Sequence, residues 1–331
     1  MKKFLNDPQN MVDELLEGFC LANPELVRLA APRIVANASL EYAGRVTVVG
    51  MGGSGHEPAP IGFVGLGMLD ASVAGDIFLA PDAETAARAI KLADRGKGVV
   101  LVVLNHAGDL LTGRKAVELC RAQGIRVEMI VTQEDISSAP RSMASERRGL
   151  VGCVPLYKIL GAAAAQGKSL EEVAAIGRRF ADQMASLAVG VRGATNPMTG
   201  KLLAEFGDDD MEIGMGQHGE EGGGRQKLLS ADETADIMLD SLLRDLQLRR
   251  GDEILLILDG MGSTTLMELF LVFRRCSALL RERGITLAAN CVGNLLTVQE
   301  AAGFQMFAAR MDEELLGLWN APCDTPYFKK L

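Results

Sequence analysis

The chain has 331 residues, 48% hydrophobic and 23% charged, the composition of a globular protein long enough for two cores. Its 34 Lys and Arg stand against 43 Asp and Glu, a net charge of -9, and aromatics are only 5%, which argues against a nucleic-acid surface built on phosphate neutralisation or base stacking. No apolar run reaches the roughly 18 residues of a membrane span, and the start MKKFLNDPQN has no apolar stretch behind its lysines, so a cytoplasmic protein without a signal peptide is expected. In chain order, 45–49 reads as a short β-branched strand, 83–95 as a helix, 98–104 (GVVLVVL) as a strand covered on both faces, 113–123 as a helix and 126–131 as a strand. Residues 150–189 read as helix after helix, with Ser169 and Glu172 forming a capping box for one that runs to about 187. Gly, Pro, Asn and an acidic run at 190–209 mark the expected inter-domain crossing. Beyond it come a short strand (MEIGMG), a second capping box at Ser230 and Glu233, a strand at 253–258, a helix at 264–283, a strand at 285–292 and another at 303–311. The expected fold class is α/β in two domains: 1-190, a mostly parallel sheet flanked by helices, and 191-331, a smaller α/β unit.

The chemistry-bearing residues are few. Cys20, Cys120, Cys153, Cys276, Cys291 and Cys323 are scattered without a C-x-x-C pair, which suits reduced, mostly buried thiols and offers no zinc site. Only three histidines occur, His56, His106 and His218. VVGMGGSGHEP at 48–58 contains Gly50, Gly52 and Gly55 in G-x-G-x-x-G spacing after a strand, with Asp70 where a ribose-binding acid would sit. Pro58 and Pro60 spoil the helix that a pyrophosphate needs after such a loop. The preferred reading is a glycine-lined turn at the carboxyl end of a strand, setting backbone N–H groups and His56 against a small polar ligand; a purely structural turn is the alternative. GAAAAQGKS at 161–169 imitates a Walker A loop, but its glycines are one residue too far apart, it follows a helical segment, and Ser169 is already a cap.

Asn105-His106-Ala107-Gly108-Asp109 follows the most apolar strand, where residues of an open α/β sheet face the ligand crevice. Asp109 is either a helix N-cap or a carboxylate that accepts a substrate hydroxyl proton, and His106 either a pocket residue or an exposed one. His218 is set among glycines in GMGQHGEEG, open to close approach by a ligand. An unprotonated imidazole nitrogen is a competent nucleophile toward a carbonyl carbon. Spacing alone does not separate that role from a metal ligand or an exposed loop residue.

The set GGSGHEP at 52–58, Gly108-Asp109, and G-x-G-x-H-G-E at 214–220, ending in Leu318-Trp319-Asn320-Ala321-Pro322 close to L-W-D-A-P, resembles the substrate-binding K subunit of dihydroxyacetone kinase over essentially the whole chain. The resemblance implies that His218 adds to the ketone of dihydroxyacetone as a covalent hemiaminal, that His56 accepts a proton, and that Asp109 binds and deprotonates the hydroxyl to be phosphorylated. It further implies that Gly52, Gly53, Ser54 and Gly55 close over the substrate, with His106 beside it. It implies a homodimer with no cofactor or metal on this chain. Nucleotide and magnesium are expected on a separate L subunit, which either uses ATP or is recharged by the phosphotransferase system from phosphoenolpyruvate. With the sequence ending at Leu331, the expected activity is that of a kinase subunit dependent on that partner. One departure stands out: Leu104-Asn105-His106-Ala107 replaces the family's Lys-Asn-Tyr-Thr, losing a cation and an aromatic wall. Two alternatives follow from it, a kinase subunit for a larger ketose such as erythrulose or apulose, and a ketose-binding paralogue that acts as a transcriptional coactivator.

Overall fold

The computed structural model describes residues 3–220 and 222–331. The chain runs α1 (Met11–Ala22), β1 (Val27–Ala31), β2 (Ile34–Asn37), β3 (Thr47–Ser54), β4 (Ala71–Ile77), α2 (Ala83–Ala93), β5 (Val99–Leu104), α3 (Ala107–Arg121) and β6 (Val127–Thr132). It continues through α4 (Cys153–Ala165), α5 (Leu170–Asp182), β7 (Met184–Arg192), β8 (Asp210–Ile213), β9 (Arg225–Lys227), α6 (Ala231–Asp245) and β10 (Glu253–Gly260). Then follow α7 (Leu266–Arg283), β11 (Thr286–Gly293), β12 (Ala302–Met311), α8 (Glu313–Asn320), β13 (Cys323–Asp324) and β14 (Lys329–Lys330). No helix among the described residues is long and apolar enough to cross a membrane. Cys120, Cys153, Cys276 and Cys323 are buried.

Two compact α/β units result, and they divide the chain differently from the expected 1-190 and 191-331. The first extends to Thr132 and adds Cys153–Arg179 and Gly317–Leu331; the second comprises Gln133–Gly152 and Phe180–Leu316. The expected boundary fails because residues 184–189, read as the end of a helix, form β7, which hydrogen-bonds between β12 and β8. That segment is buried throughout, and a short, wholly buried apolar run gives no periodicity to separate strand from helix. The carboxyl terminus returns to the first unit, where Leu66 and Asp324 form an antiparallel bridge.

The first unit's sheet has the order β1-β2-β4-β3-β5-β6. β4, β3, β5 and β6 are parallel neighbours, and β1 and β2 add an antiparallel edge. From β3 the chain passes to β4 on one side and then to β5 on the other, so the strand order reverses at β3. That is the place where open α/β sheets form a crevice at the strands' carboxyl ends. The second sheet, β11-β10-β12-β7-β8-β9, is mixed, with a parallel β10–β11 pair and antiparallel neighbours elsewhere. Ser230 with Glu233 closes the expected capping box on α6, and Thr265 with Glu268 closes another, not among those expected, on α7.

One buried acid ties a loop of the second unit. Glu134 is fully buried, and its Oε1 accepts hydrogen bonds from the amides of Leu150 (2.7 Å) and Gly152 (2.9 Å). Its Oε2 has no hydrogen-bond partner among the described residues. Burial pushes its carboxyl up to about 7, and the neighbouring Asp135 adds to this, while the backbone donors pull the other way. The folded chain therefore keeps a proton on Glu134 that the unfolded chain releases near 4.5, so stability falls as pH rises through that window. A shift of this size is worth roughly 3 kcal/mol at most. The midpoint of urea denaturation is expected to drop between about pH 4.5 and pH 7, and Glu134→Gln, which cannot ionise, is expected to flatten that slope.

Candidate functional site

In the first unit the glycine motif begins inside a strand, not in a turn. β3 continues through Gly50, Met51, Gly52 and Gly53 to Ser54, because pairing with β4 persists, Gly52 opposite Ala74 and Ser54 opposite Ile77. The turn starts only at Gly55, whose φ is 96°. A Cβ on Gly53 would sit 2.7 Å from the amide nitrogen of Leu79, so that glycine is needed for backbone contact. A Cβ on Gly52 would meet nothing within 4 Å, so that position opens on space a ligand can enter. Ser54 is buried, and its hydroxyl donates to the carbonyl of Gly75 (2.8 Å).

The dinucleotide reading fails on two contacts. The Gly55 amide, which a pyrophosphate would need, already donates to both carboxylate oxygens of Glu57 (3.2 and 3.0 Å). Burial pushes the Glu57 carboxyl up, and the Gly55 amide and its own backbone pull it down. Asp70, the would-be ribose acid, is fully buried, forms a bidentate pair with Arg45 (2.9 and 2.8 Å) and accepts from the Val48 amide (2.9 Å). The Walker A imitation is equally structural. Gly161 lies within α4, where a Cβ would come 2.5 Å from the Met68 backbone, and Ser169 caps α5 through its exchange with Glu172.

His56 follows the turn and is 8% exposed, with its ring centroid 5.3 Å from that of Phe78. The second loop arrives from β5. Helix α3 starts at Ala107, earlier than the sequence suggests, with His106 at its N-cap position and Asp109 inside its first turn. Asp109 is thus not the cap; a carboxylate in the first turn is favoured by the helix dipole. Both His106 and Asp109 are half-buried.

Sequence reasoning missed the segment that links these two loops. Phe78-Leu79-Ala80-Pro81 leaves the end of β4, packs its backbone against Gly53, and brings Ala80 beside Gly108, whose Cβ would lie 3.4 Å from that of Ala80. Thr112 of α3 donates to the Pro81 carbonyl (2.9 Å). Its position just past a strand adjoining the glycine strand was the available signal. The carboxyl ends of β3, β4 and β5 therefore hold Gly52, Gly53, Ser54, Gly55, His56, His106 and Asp109 in one neighbourhood.

His218 belongs to the second unit, in the connection between β8 and β9. Its glycines mark crowding: a Cβ on Gly222 would fall 1.8 Å from the Gly214 carbonyl oxygen, and one on Gly219 2.6 Å from that of Leu203. The Gly216 amide donates to the Glu220 carbonyl (2.8 Å), closing a tight turn around His218. The His218 side chain is 26% exposed, and its Nδ1 lies 3.5 Å from Glu220 Oε1. Among the described residues, no group of three or more His, Cys, Asp or Glu side chains is placed to hold a metal ion.

Gly52 and Gly53 of β3 separate fold from ligand access. Gly53→Ala is expected to destabilise the chain by about 1–3 kcal/mol, since the Leu79 backbone must shift. Gly52→Ala is expected to leave stability within about 1 kcal/mol while reducing ligand capture. Thermal melts and ligand-bound mass spectra of both variants check this; equal melting losses would contradict it.

Residues 17–327 match the Dak1 domain. The chain is 36% identical over 327 residues to the Listeria innocua protein named PTS-dependent dihydroxyacetone kinase 1, dihydroxyacetone-binding subunit DhaK, covering 98% of this chain and 99% of that one. It is 37% identical to a D-erythrulose kinase of Mycolicibacterium smegmatis, covering all of this chain but only 57% of that protein. Among solved structures it superposes on the dihydroxyacetone kinase operon co-activator Dha-DhaQ with a TM-score of 0.90 at 30% identity, covering 96% of this chain and 98% of that one. By the extent of these matches, the chain belongs to the Dak1 domain family.

Proposed function

We propose that this chain is the ketose-binding subunit of a dihydroxyacetone-type kinase, holding a short ketose covalently on His218 for phosphorylation with a separate nucleotide-binding L subunit. The observation that carries the reading is His218 itself, presented on a tight turn with Nδ1 toward a carboxylate, in a chain matching a dihydroxyacetone-binding subunit over nearly its full length. A ketone carbon accepts a nitrogen lone pair and an alcohol carbon does not, so such an anchor selects dihydroxyacetone over glycerol by electrophilicity. Asp109 is assigned to take the proton of the hydroxyl that receives phosphate, a role worth roughly 10²–10⁴-fold. His56 is assigned to move the protons of adduct formation, and the open face at Gly52 to admit the ligand.

Two variants test the assignment. His218→Ala is expected to abolish a ketose adduct seen by intact mass spectrometry; a retained adduct would remove His218 from the mechanism. Asp109→Asn is expected to keep the adduct and to transfer phosphate at least about 10²-fold more slowly with a cognate L subunit. Near-normal transfer would leave Asp109 a purely structural residue of the first turn.

A second reading has a specific observation behind it. Leu104 ends β5 half-buried, and a leucine can neither donate a hydrogen bond nor carry charge. Loss of a charged donor costs roughly 1.5–3 kcal/mol, on the order of ten- to a hundredfold in affinity, unless the ligand has other contacts. A four-carbon ketose such as erythrulose, the substrate named for the Mycolicibacterium relative, fits that change. Competition between dihydroxyacetone and erythrulose for the adduct decides it: preference for the four-carbon ketose, reversed by Leu104→Lys, is the expected result. A preference for dihydroxyacetone that Leu104→Lys leaves unchanged would make the departure neutral. Adduct formation with no phosphate transfer under any L subunit would favour the co-activator alternative.

A further inference from the structure

We propose that Glu220 is the positioning residue that sets which ring nitrogen of His218 carries the proton, with Arg148 as the anchor that keeps the two aligned. This rests on the reading of His218 as the ketose anchor. The carboxylate grips His218 twice: Oε2 accepts the His218 backbone amide (2.9 Å), and Oε1 lies 3.5 Å from Nδ1. An ionised carboxylate only accepts hydrogen bonds, so the nitrogen turned toward it is the protonated one and the lone pair falls on Nε2. Glu220 stays ionised: partial burial works against this, but hydrogen bonds from the His218 side chain and backbone hold its carboxyl down to about 2.

The surroundings fix the carboxylate in turn. Arg148 donates from Nε to Asp135 (2.8 Å), and from Nη2 to the Ser137 hydroxyl (3.0 Å) and the Gly214 carbonyl (3.0 Å). Asp135 is fully buried and accepts from the Ser137 amide (3.0 Å) and hydroxyl (2.7 Å) as well. The guanidinium is thereby tied to the entry of the His218 loop. Its Nη1 and the Glu220 Oε2 crowd the same spot beside Gly216, 2.3 and 2.2 Å from where a Cβ would be. One cation thus lies beside the carboxylate oxygen that takes the backbone bond, and residue 216 has no room for a side chain.

The covalent step balances with this assignment. The Nε2 lone pair forms the N–C bond, the carbonyl π pair moves onto oxygen, and that oxygen takes a proton from water relayed by His56, the group assigned above to move it, leaving hydroxide to the solvent. The ring, now substituted at Nε2 and still protonated at Nδ1, carries a positive charge facing the Glu220 carboxylate. Glu220 therefore selects the nucleophilic nitrogen before the step and stabilises the charge after it, without touching the ketose.

The test is ¹⁵N NMR of the full chain with labelled histidine, His218 being identified by subtraction with His218→Ala, together with intact mass after incubation with dihydroxyacetone. The wild type is expected to show His218 protonated at Nδ1 and unprotonated at Nε2. Glu220→Ala is expected to shift the proton toward Nε2, the form a free imidazole favours, and to weaken the adduct on the order of 10- to 100-fold, as for outer partners that orient ligating histidines. Glu220→Gln keeps an acceptor without charge, so it is expected to preserve the tautomer while losing part of the adduct. Arg148→Lys is expected to fall between wild type and Glu220→Ala. A wild-type spectrum with the proton on Nε2 overturns the proposal whatever the variants' stability, as does Glu220→Ala with tautomer and adduct unchanged. A tautomer that depends on Glu220 in a chain forming no ketose adduct would uphold the positioning role and sink the proposed function.

Discussion

Close backbone approach is the constraint on which the glycine-bearing loops of each unit depend. At Gly53 the strand lies against the backbone of Leu79, and at Gly222 the chain turns back onto Gly214, with no volume for even one carbon atom in either place. Packing at this density transmits displacement, since neighbouring backbone cannot be compressed. The polar groups of each loop are consequently held by main chain: Ser54 by the carbonyl of Gly75, Glu57 by the amide of Gly55, and Glu220 by the amide of His218.

The same density explains why motifs that look like phosphate cradles are not. A phosphate-binding loop leaves its amides pointing outward at a helix start. Here the Gly55 amide is taken by Glu57, the chain then turns through the prolines into the short helical turn Ile61–Phe63, and Asp70 is consumed by Arg45. What remains is open space at Gly52, with the Phe78–Leu79 backbone packed against Gly53 and the His56 ring against that of Phe78.

Charge is distributed by the same economy. In the second unit Glu134 is buried against backbone amides and pushed up toward neutrality, whereas Glu220 keeps partial access to solvent and a histidine beside it and stays ionised. At pH 7 Glu134 is thus partly protonated while Glu220 is ionised, because burial and the neighbouring Asp135 raise the first and hydrogen bonds from His218 lower the second. The first anchors a loop through the amides of Leu150 and Gly152, the second holds the backbone of His218.

The sequence by itself determined the α/β class, most strands and helices, and the capping boxes at Ser169 and Ser230, because these depend on local periodicity and on hydrogen bonds within a few residues. His56, Asp109 and His218 stood out by their glycine-flanked motifs, and the Dak1 relationship followed from the same loops. What only the tertiary structure decided was pairing across distance. β7 reads as helix until β12 and β8 flank it, the division of the chain shifts with it, and the glycine motif reads as a turn until β4 extends alongside. The Phe78–Pro81 segment and Arg148 carry no local signal at all; their roles arise because folding brings them against Gly53 and Gly108, and against Gly214 and Glu220, across separations that no pattern in the chain encodes.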